Sequence, residues 1–100
     1  MNQEKILEYL WPKDIYLVHL QLDNSVNKKF IVKVFHFFKN KNLKKVEKFI
    51  IGPKEHLRFN IGKKNNNHLG FKVVFDFYVG IKVFENLDRA YYSFDPVKLN

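Results

Sequence analysis

The stretch LGFKVVFDFYVGIKVFE, residues 69–85, decides the fold class. All of its odd-numbered positions up to 83 are apolar, while Lys72, Asp76 and Lys82 lie at even positions. This alternation is typical of a β-strand that turns one face toward a core. At about 3.3 Å per residue the stretch would extend about 56 Å, so it must bend. We place the bend at Gly80, as a kinked strand or a three-residue loop, because a two-residue hairpin would reverse the inward-facing set.

Segments rich in Val, Ile, Phe and Tyr recur along the rest of the chain and are separated by turn residues such as those of Asp23-Asn24-Ser25. They predict strands at 15–22, 29–38, 57–61, 69–79, 81–84 and 90–94. Segment 43–51 fits a helical face as well as a strand, and we favour the strand. Near the N-terminus, Ile6, Leu7, Leu10 and Trp11 have helical spacing, and Pro12 would end that helix.

These segments predict one all-β domain over residues 1–100, an antiparallel sandwich at 15–95 preceded by a short helix within 1–12. The loop DNSVN at 23–27, strand 30–38, the strand-turn-strand FIIGPKEHLRFNI at 49–61 and strand 70–76 follow in an order that resembles bacterial immunoglobulin-like domains of the cell-adhesion-related type. The chain departs from antibody-type domains because it has no cysteine and its one tryptophan precedes the first predicted strand. The resemblance implies an interaction or spacer module without catalysis.

Positive charge is concentrated in the middle of the chain. The formal net charge is +8, and residues 28–72 hold 13 basic side chains against Glu47 and Glu55. An A/T-rich genome would explain the amount of lysine, because half of the residues are Lys, Asn, Phe, Ile or Tyr, but it explains the placement less well. Such asymmetry favours a positive face that attracts a polyanion or an acidic protein.

The sequence offers little for catalysis. Without cysteine there is no disulfide, thiolate metal site or cysteine nucleophile, and the two serines lack the setting of a hydrolase nucleophile. The four histidines have no metal-site spacing, so we expect no metal and no cofactor. One enzymatic function is an alternative to binding: a metal-independent ribonuclease. It would use His56, Arg58 and His68 with Lys54, Lys63 or Lys64.

The candidate binding residues are the basic side chains of the middle segment and two aromatic residues of one strand. Phe35 and Phe37 give strand 29–38 a second apolar face, which the N-terminal helix, a second copy of the chain or a partner would cover. The basic candidates are Lys39, Lys41, Lys44, Lys45, Lys48, Lys54, Arg58, Lys63, Lys64 and Lys72.

We therefore expect a non-enzymatic interaction module that binds an acidic macromolecular partner through a lysine-rich face. A small free-standing domain of this kind suits an inhibitor, immunity or accessory protein of a mobile element. The alternative is a nucleic-acid-binding protein that sets the same face against phosphates. Because the sequence contains neither a signal peptide nor an apolar run long enough for a membrane helix, we expect a cytoplasmic protein with no membrane partner.

Overall fold

The computed structural model describes residues 3–40 and 45–85, together with the backbone of 89–94. In this part of the chain every regular element is a β-strand, and every strand pair is antiparallel. The strands are β1 (Glu4–Leu10), β2 (Leu17–Asn24), β3 (Phe30–Phe38), β4 (Lys45–Ile51), β5 (His56–Gly62), β6 (His68–Asp76), β7 (Val79–Glu85) and β8 (Arg89–Phe94). The predicted all-β antiparallel sandwich is confirmed.

The strands form two sheets, which we call the first and the second sheet. The first has the order β1-β6-β3-β4, and the second has the order β5-β2-β7-β8. In constant-type immunoglobulin domains the first two strands share one sheet. Here β1 pairs with β6, whereas β2 pairs with β5 and β7, so the immunoglobulin-like topology is not confirmed.

The core lies between the sheets, where alternate residues of each strand meet. β2 contributes Val18, Leu20 and Leu22 from one side, and β6 contributes Phe71, Val73 and Phe75 from the other, all at most 1% exposed. At the β4 and β5 edges, the rings of Phe49 and Phe59 stack with their centroids 4.4 Å apart. Burial of these strand faces supplies the main stabilising free energy of the fold.

The predicted N-terminal helix is wrong, because Glu4–Leu10 forms strand β1. The spacing of Ile6, Leu7 and Leu10 fits a helix, yet the same segment also alternates. Leu7 and Tyr9 are buried toward the core, and Ile6 and Leu10 are each 61% exposed on the other side. The seven-residue register with β6, from Glu4↔Asp76 to Leu10↔Gly70, overrides the local pattern.

The bend predicted at Gly80 is also misplaced. β6 ends at Asp76 and β7 begins at Val79, so Phe77 and Tyr78 make the turn and Gly80 lies within β7. The link has two residues but is not a hairpin, because β6 belongs to the first sheet and β7 to the second. A connection that crosses between sheets lets odd-numbered residues face the core on both sides.

The strand favoured for the ambiguous segment 43–51 is confirmed for Lys45–Ile51, and residues 41–44 lie outside the described residues. β4 pairs with β3 from Phe30↔Ile51 to His36↔Lys45. This places β4 at an edge of the first sheet.

Candidate interaction surface

The side of the first sheet that turns away from the core carries four of the predicted binding residues, and we call it the outer face. They are Phe35, Phe37, Lys48 and Lys72. Along β3 the side chains of Val32 and Val34 are buried in the core, so residues of the opposite parity point outward. The outward side chains of the four strands are those of Glu4, Ile6, Glu8, Leu10, Ile31, Lys33, Phe35, Phe37, Val46, Lys48, Ile50, Lys72, Val74 and Asp76.

The outer face is unusually apolar for a surface. The described residues include eight exposed large hydrophobic side chains, and five of them lie here: Ile6, Leu10, Ile31, Val46 and Ile50. Their exposed fractions range from 48% to 65%. Apolar side chains grouped in this way on a monomer typically mark an interaction surface.

Two lysines lie side by side within this apolar surface. Lys33 on β3 is directly opposite Lys48 on β4. The pair Phe35 and Val46 lies on one side of the lysines, and Ile31 and Ile50 lie on the other. Three cross-strand pairs thus follow one another along β3 and β4, apolar, cationic and apolar, at intervals of about 7 Å.

These ammonium groups are not neutralised within the described part of the chain. Neither Lys33 nor Lys48 has a carboxylate or hydrogen-bond partner there, and the described ion pairs both involve histidine. Lys72, diagonal to Lys33 on β6, lies over the ring of Phe37 at 5.1 Å from its centroid. Like charges directly opposite each other destabilise a sheet. The pair Lys33 and Lys48 therefore lowers the stability of the free protein, and an anion bound between the two ammonium groups would remove that cost.

The other predicted binding residues are distributed over the molecule and do not share one face. Lys54 lies in the turn between β4 and β5, and Arg58 projects from the outer side of the second sheet. Lys39, Lys45, Lys63 and Lys64 lie toward one end of the sandwich, where the Lys39 amide donates to the Asn67 carbonyl at 2.8 Å. Lys41 and Lys44 lie outside the described residues.

Two buried histidines form a hydrogen-bonded chain at this end. The Lys64 amide donates to Nδ1 of His68 at 3.0 Å, so the proton of neutral His68 is on Nε2. That Nε2 lies 3.0 Å from Nδ1 of His36, whose own Nε2 lies 2.7 Å from the Glu47 carboxylate. His68 Nε2–H thus donates to His36 Nδ1, and His36 Nε2–H donates to the Glu47 carboxylate.

Burial keeps both imidazoles neutral. His36 is 2% exposed and His68 is 1% exposed. Burial lowers the pKa of His68 to about 4, and the positive charge that His36 carries when protonated and the charge of Lys64 lower it further. Burial also lowers the pKa of His36, and the hydrogen bond and charge of Glu47 oppose that effect. The two hydrogen-bonded histidines therefore form a neutral, polar part of the core.

Of the residues of the predicted ribonuclease, His56 and Arg58 share the outer side of the second sheet, whereas His68 lies apart from them. His56 lies on the outer side of the second sheet, where its Nδ1 contacts the Asp23 carboxylate. Its side chain is 64% exposed, whereas His68 is buried between the sheets. On the same outer side, Nδ1 of His19 forms a hydrogen bond with Oδ1 of Asn60 at 2.6 Å.

Neither a metal site nor a membrane-spanning helix is found in the described part of the chain. Nowhere in it do three His, Asp or Glu side chains converge as metal ligands would. None of the elements described there is a helix long and apolar enough to cross a membrane.

Sequence reasoning found Phe35, Phe37, Lys48 and Lys72 but missed Lys33 and the exposed aliphatic residues beside it. The parity of Phe35 and Phe37 along β3 also selects Lys33 and Ile31, so an available signal went unused. The facing of Lys33 and Lys48 depends on the β3–β4 register and has no signal in either segment alone.

Comparison with known proteins adds no assignment. No protein-family model matches the chain, and neither a curated protein nor a solved structure is significantly similar to it.

Proposed function

We propose that this protein is a non-enzymatic interaction module that binds an acidic protein partner through the outer face of the first sheet. The observation that carries the proposal is the lysine pair Lys33 and Lys48 set among five exposed aliphatic side chains. The finer resemblance to immunoglobulin-like adhesion domains, which implies an interaction module, is consistent with this role. An inhibitor or accessory protein would use such a surface.

The composition of the outer face favours a protein over a nucleic acid. Nucleic-acid surfaces combine cations with hydrogen-bonding groups and aromatic stacking platforms. Three of the four residues that flank Lys33 and Lys48 are aliphatic and offer neither hydrogen bonds nor π-faces, and the fourth, Phe35, is half-buried. Aliphatic side chains that lose water against a partner supply binding energy of the kind found at the centres of protein interfaces.

Charge selects the partner. The ammonium groups of Lys33 and Lys48, which have no carboxylate partner in the described part of the chain, attract carboxylates and repel basic proteins. Glu4 and Glu8 in β1 and Asp76 at the end of β6 place negative charge on the other half of the outer face. The partner's carboxylates therefore belong over β3 and β4.

The test compares two charge-reversed variants in a capture experiment from extract of the native cells. Lys33→Glu/Lys48→Glu reverses the pair on the outer face. Arg58→Glu/Lys82→Glu is the matched control, because it makes the same charge change on the outer side of the second sheet, where both residues flank Gln21. We expect the parent and the control to retain one discrete acidic protein that the outer-face variant loses.

Two results would contradict the proposal. One is capture that both variants lose equally, because net charge and not the outer face would then explain binding. The other is nuclease-sensitive capture together with direct binding of RNA or DNA by the purified protein, which would make it a nucleic-acid-binding protein. Steep weakening of that binding with salt would identify phosphate contacts.

A further inference from the structure

The three successive cross-strand pairs of β3 and β4 restrict the shape of the partner as well as its charge. This inference rests on the proposed function. Lys33 and Lys48 are cross-strand neighbours about 5 Å apart at Cβ, close enough for one carboxylate to lie between their ammonium groups. The pairs Phe35/Val46 and Ile31/Ile50 follow about 7 Å to either side.

We infer that the partner binds through an amphipathic α-helix whose apolar stripe is interrupted by one central carboxylate. On a helix, residues at i, i+4 and i+8 rise about 6 Å per step, which is close to the interval between the pairs. An apolar residue at i, Asp or Glu at i+4 and an apolar residue at i+8 therefore match the apolar, cationic and apolar pairs.

The dimensions of the outer face also suit a helix. The sheet has four strands at about 4.8 Å spacing, which gives a width of about 14 Å between the outermost strands. A helix with its side chains is about 10 to 12 Å across, so the sheet is wide enough to hold one helix over β3 and β4. Glu8 at the β1 edge repels the carboxylate and keeps the helix over β3 and β4.

A single extended segment lying on the outer face would be a poorer occupant. Its backbone amides and carbonyls would lose water against Ile31, Ile50 and Val46 without gaining partners, which is costly. A helix satisfies those groups internally and presents only side chains. The aliphatic residues and the lysine pair thus favour the same ligand.

The test uses two synthetic helical peptides as probes. Both carry Leu at i and i+8, and they differ only at i+4, which is Glu in one and Lys in the other. Amide chemical shifts of the labelled protein are followed during titration with each peptide. We expect the Glu peptide to shift residues of β3 and β4 and to bind about tenfold more tightly than the Lys peptide, through two ion pairs that lose water.

Charge exchange provides the control. Lys33→Glu/Lys48→Glu is expected to prefer the Lys peptide, and this reversal shows that the variant is folded. Equal affinities for the two peptides, failure of both to bind, or shifts confined to the second sheet would overturn the helix inference. A native acidic partner captured through the outer face would leave the proposed function standing in each of those cases, whereas absence of that capture contradicts the function itself.

Discussion

At the scale of single residues, the buried pair His36 and His68 makes stability depend on pH. An unfolded histidine has a pKa near 6.5, while burial lowers the pKa of His68 to about 4. The unfolded chain therefore binds more protons than the folded chain between these values. The free energy of unfolding therefore does not depend on this histidine's protonation well above pH 6.5, and it decreases as the pH falls from 6.5 toward 4.

Replacing His68 by glutamine should weaken this dependence. Glutamine keeps an acceptor for the Lys64 amide and a donor for His36, but it does not titrate. Between pH 7 and pH 5 we expect the free energy of unfolding of the parent to fall about 2 kcal/mol further than that of His68→Gln. Urea unfolding at the two pH values measures the difference, and parallel losses would show that His68 does not carry the effect.

The lysine pair leads to a prediction in which stability and binding move in opposite directions. Lys48→Glu turns a like-charged pair with Lys33 into an opposite-charged one. We expect the free energy of unfolding to rise by about 0.5 kcal/mol, because cross-strand pairs of opposite charge are favourable. Capture of the acidic partner should fall at the same time.

The control for this change is Lys82→Glu on the second sheet, where Lys82 is opposite Gln21. It should alter neither stability nor capture appreciably. If Lys48→Glu destabilised the protein instead, the two lysines would not repel each other in the folded state.

At the scale of elements, alternation predicted most of the strands but not their partners. The segment that became β1 fits a helix and a strand, and only pairing with β6 decides between them. Such pairing joins residues about 65 positions apart, and no local pattern encodes it. The turn at Phe77 and Tyr78 was missed for a related reason, since apolar turn residues continue the alternation of the flanking strands.

Gly70 tests the pairing of β1 with β6. A Cβ at Gly70 would lie 2.1 Å from the carbonyl oxygen of Tyr9, in the backbone of the neighbouring strand. Because backbone atoms cannot give way easily, Gly70→Ala should lower the free energy of unfolding by about 2 kcal/mol or more. Urea unfolding measures the change.

Gly62 provides the matched control, since the nearest atom to a Cβ there is the Tyr16 carbonyl oxygen at 4.0 Å. Gly62→Ala should change the free energy of unfolding by no more than about 0.5 kcal/mol. Equal effects of the two substitutions would argue against the close approach of β1 to Gly70.

At the scale of the whole molecule, the sequence predicted an excess of basic residues but not how the fold distributes them over the surface. Residues 28–72 carry the excess charge, and the fold distributes it over both ends of the sandwich and both sheets. The part that meets exposed aliphatic residues is small, consisting of Lys33, Lys48 and Lys72. Linear charge density could not predict this, because alternate residues of one strand point to opposite sides.

Binding through the outer face is tested most directly by the rate at which an acylating reagent modifies each lysine of the intact protein, in buffer and in nuclease-treated extract of the native cells. If an acidic partner binds the outer face, Lys33, Lys48 and Lys72 will react several times more slowly in the extract, while Lys54 and Lys82 will keep their rates. Unchanged rates on the outer face, or protection spread evenly over all five lysines, would contradict that binding.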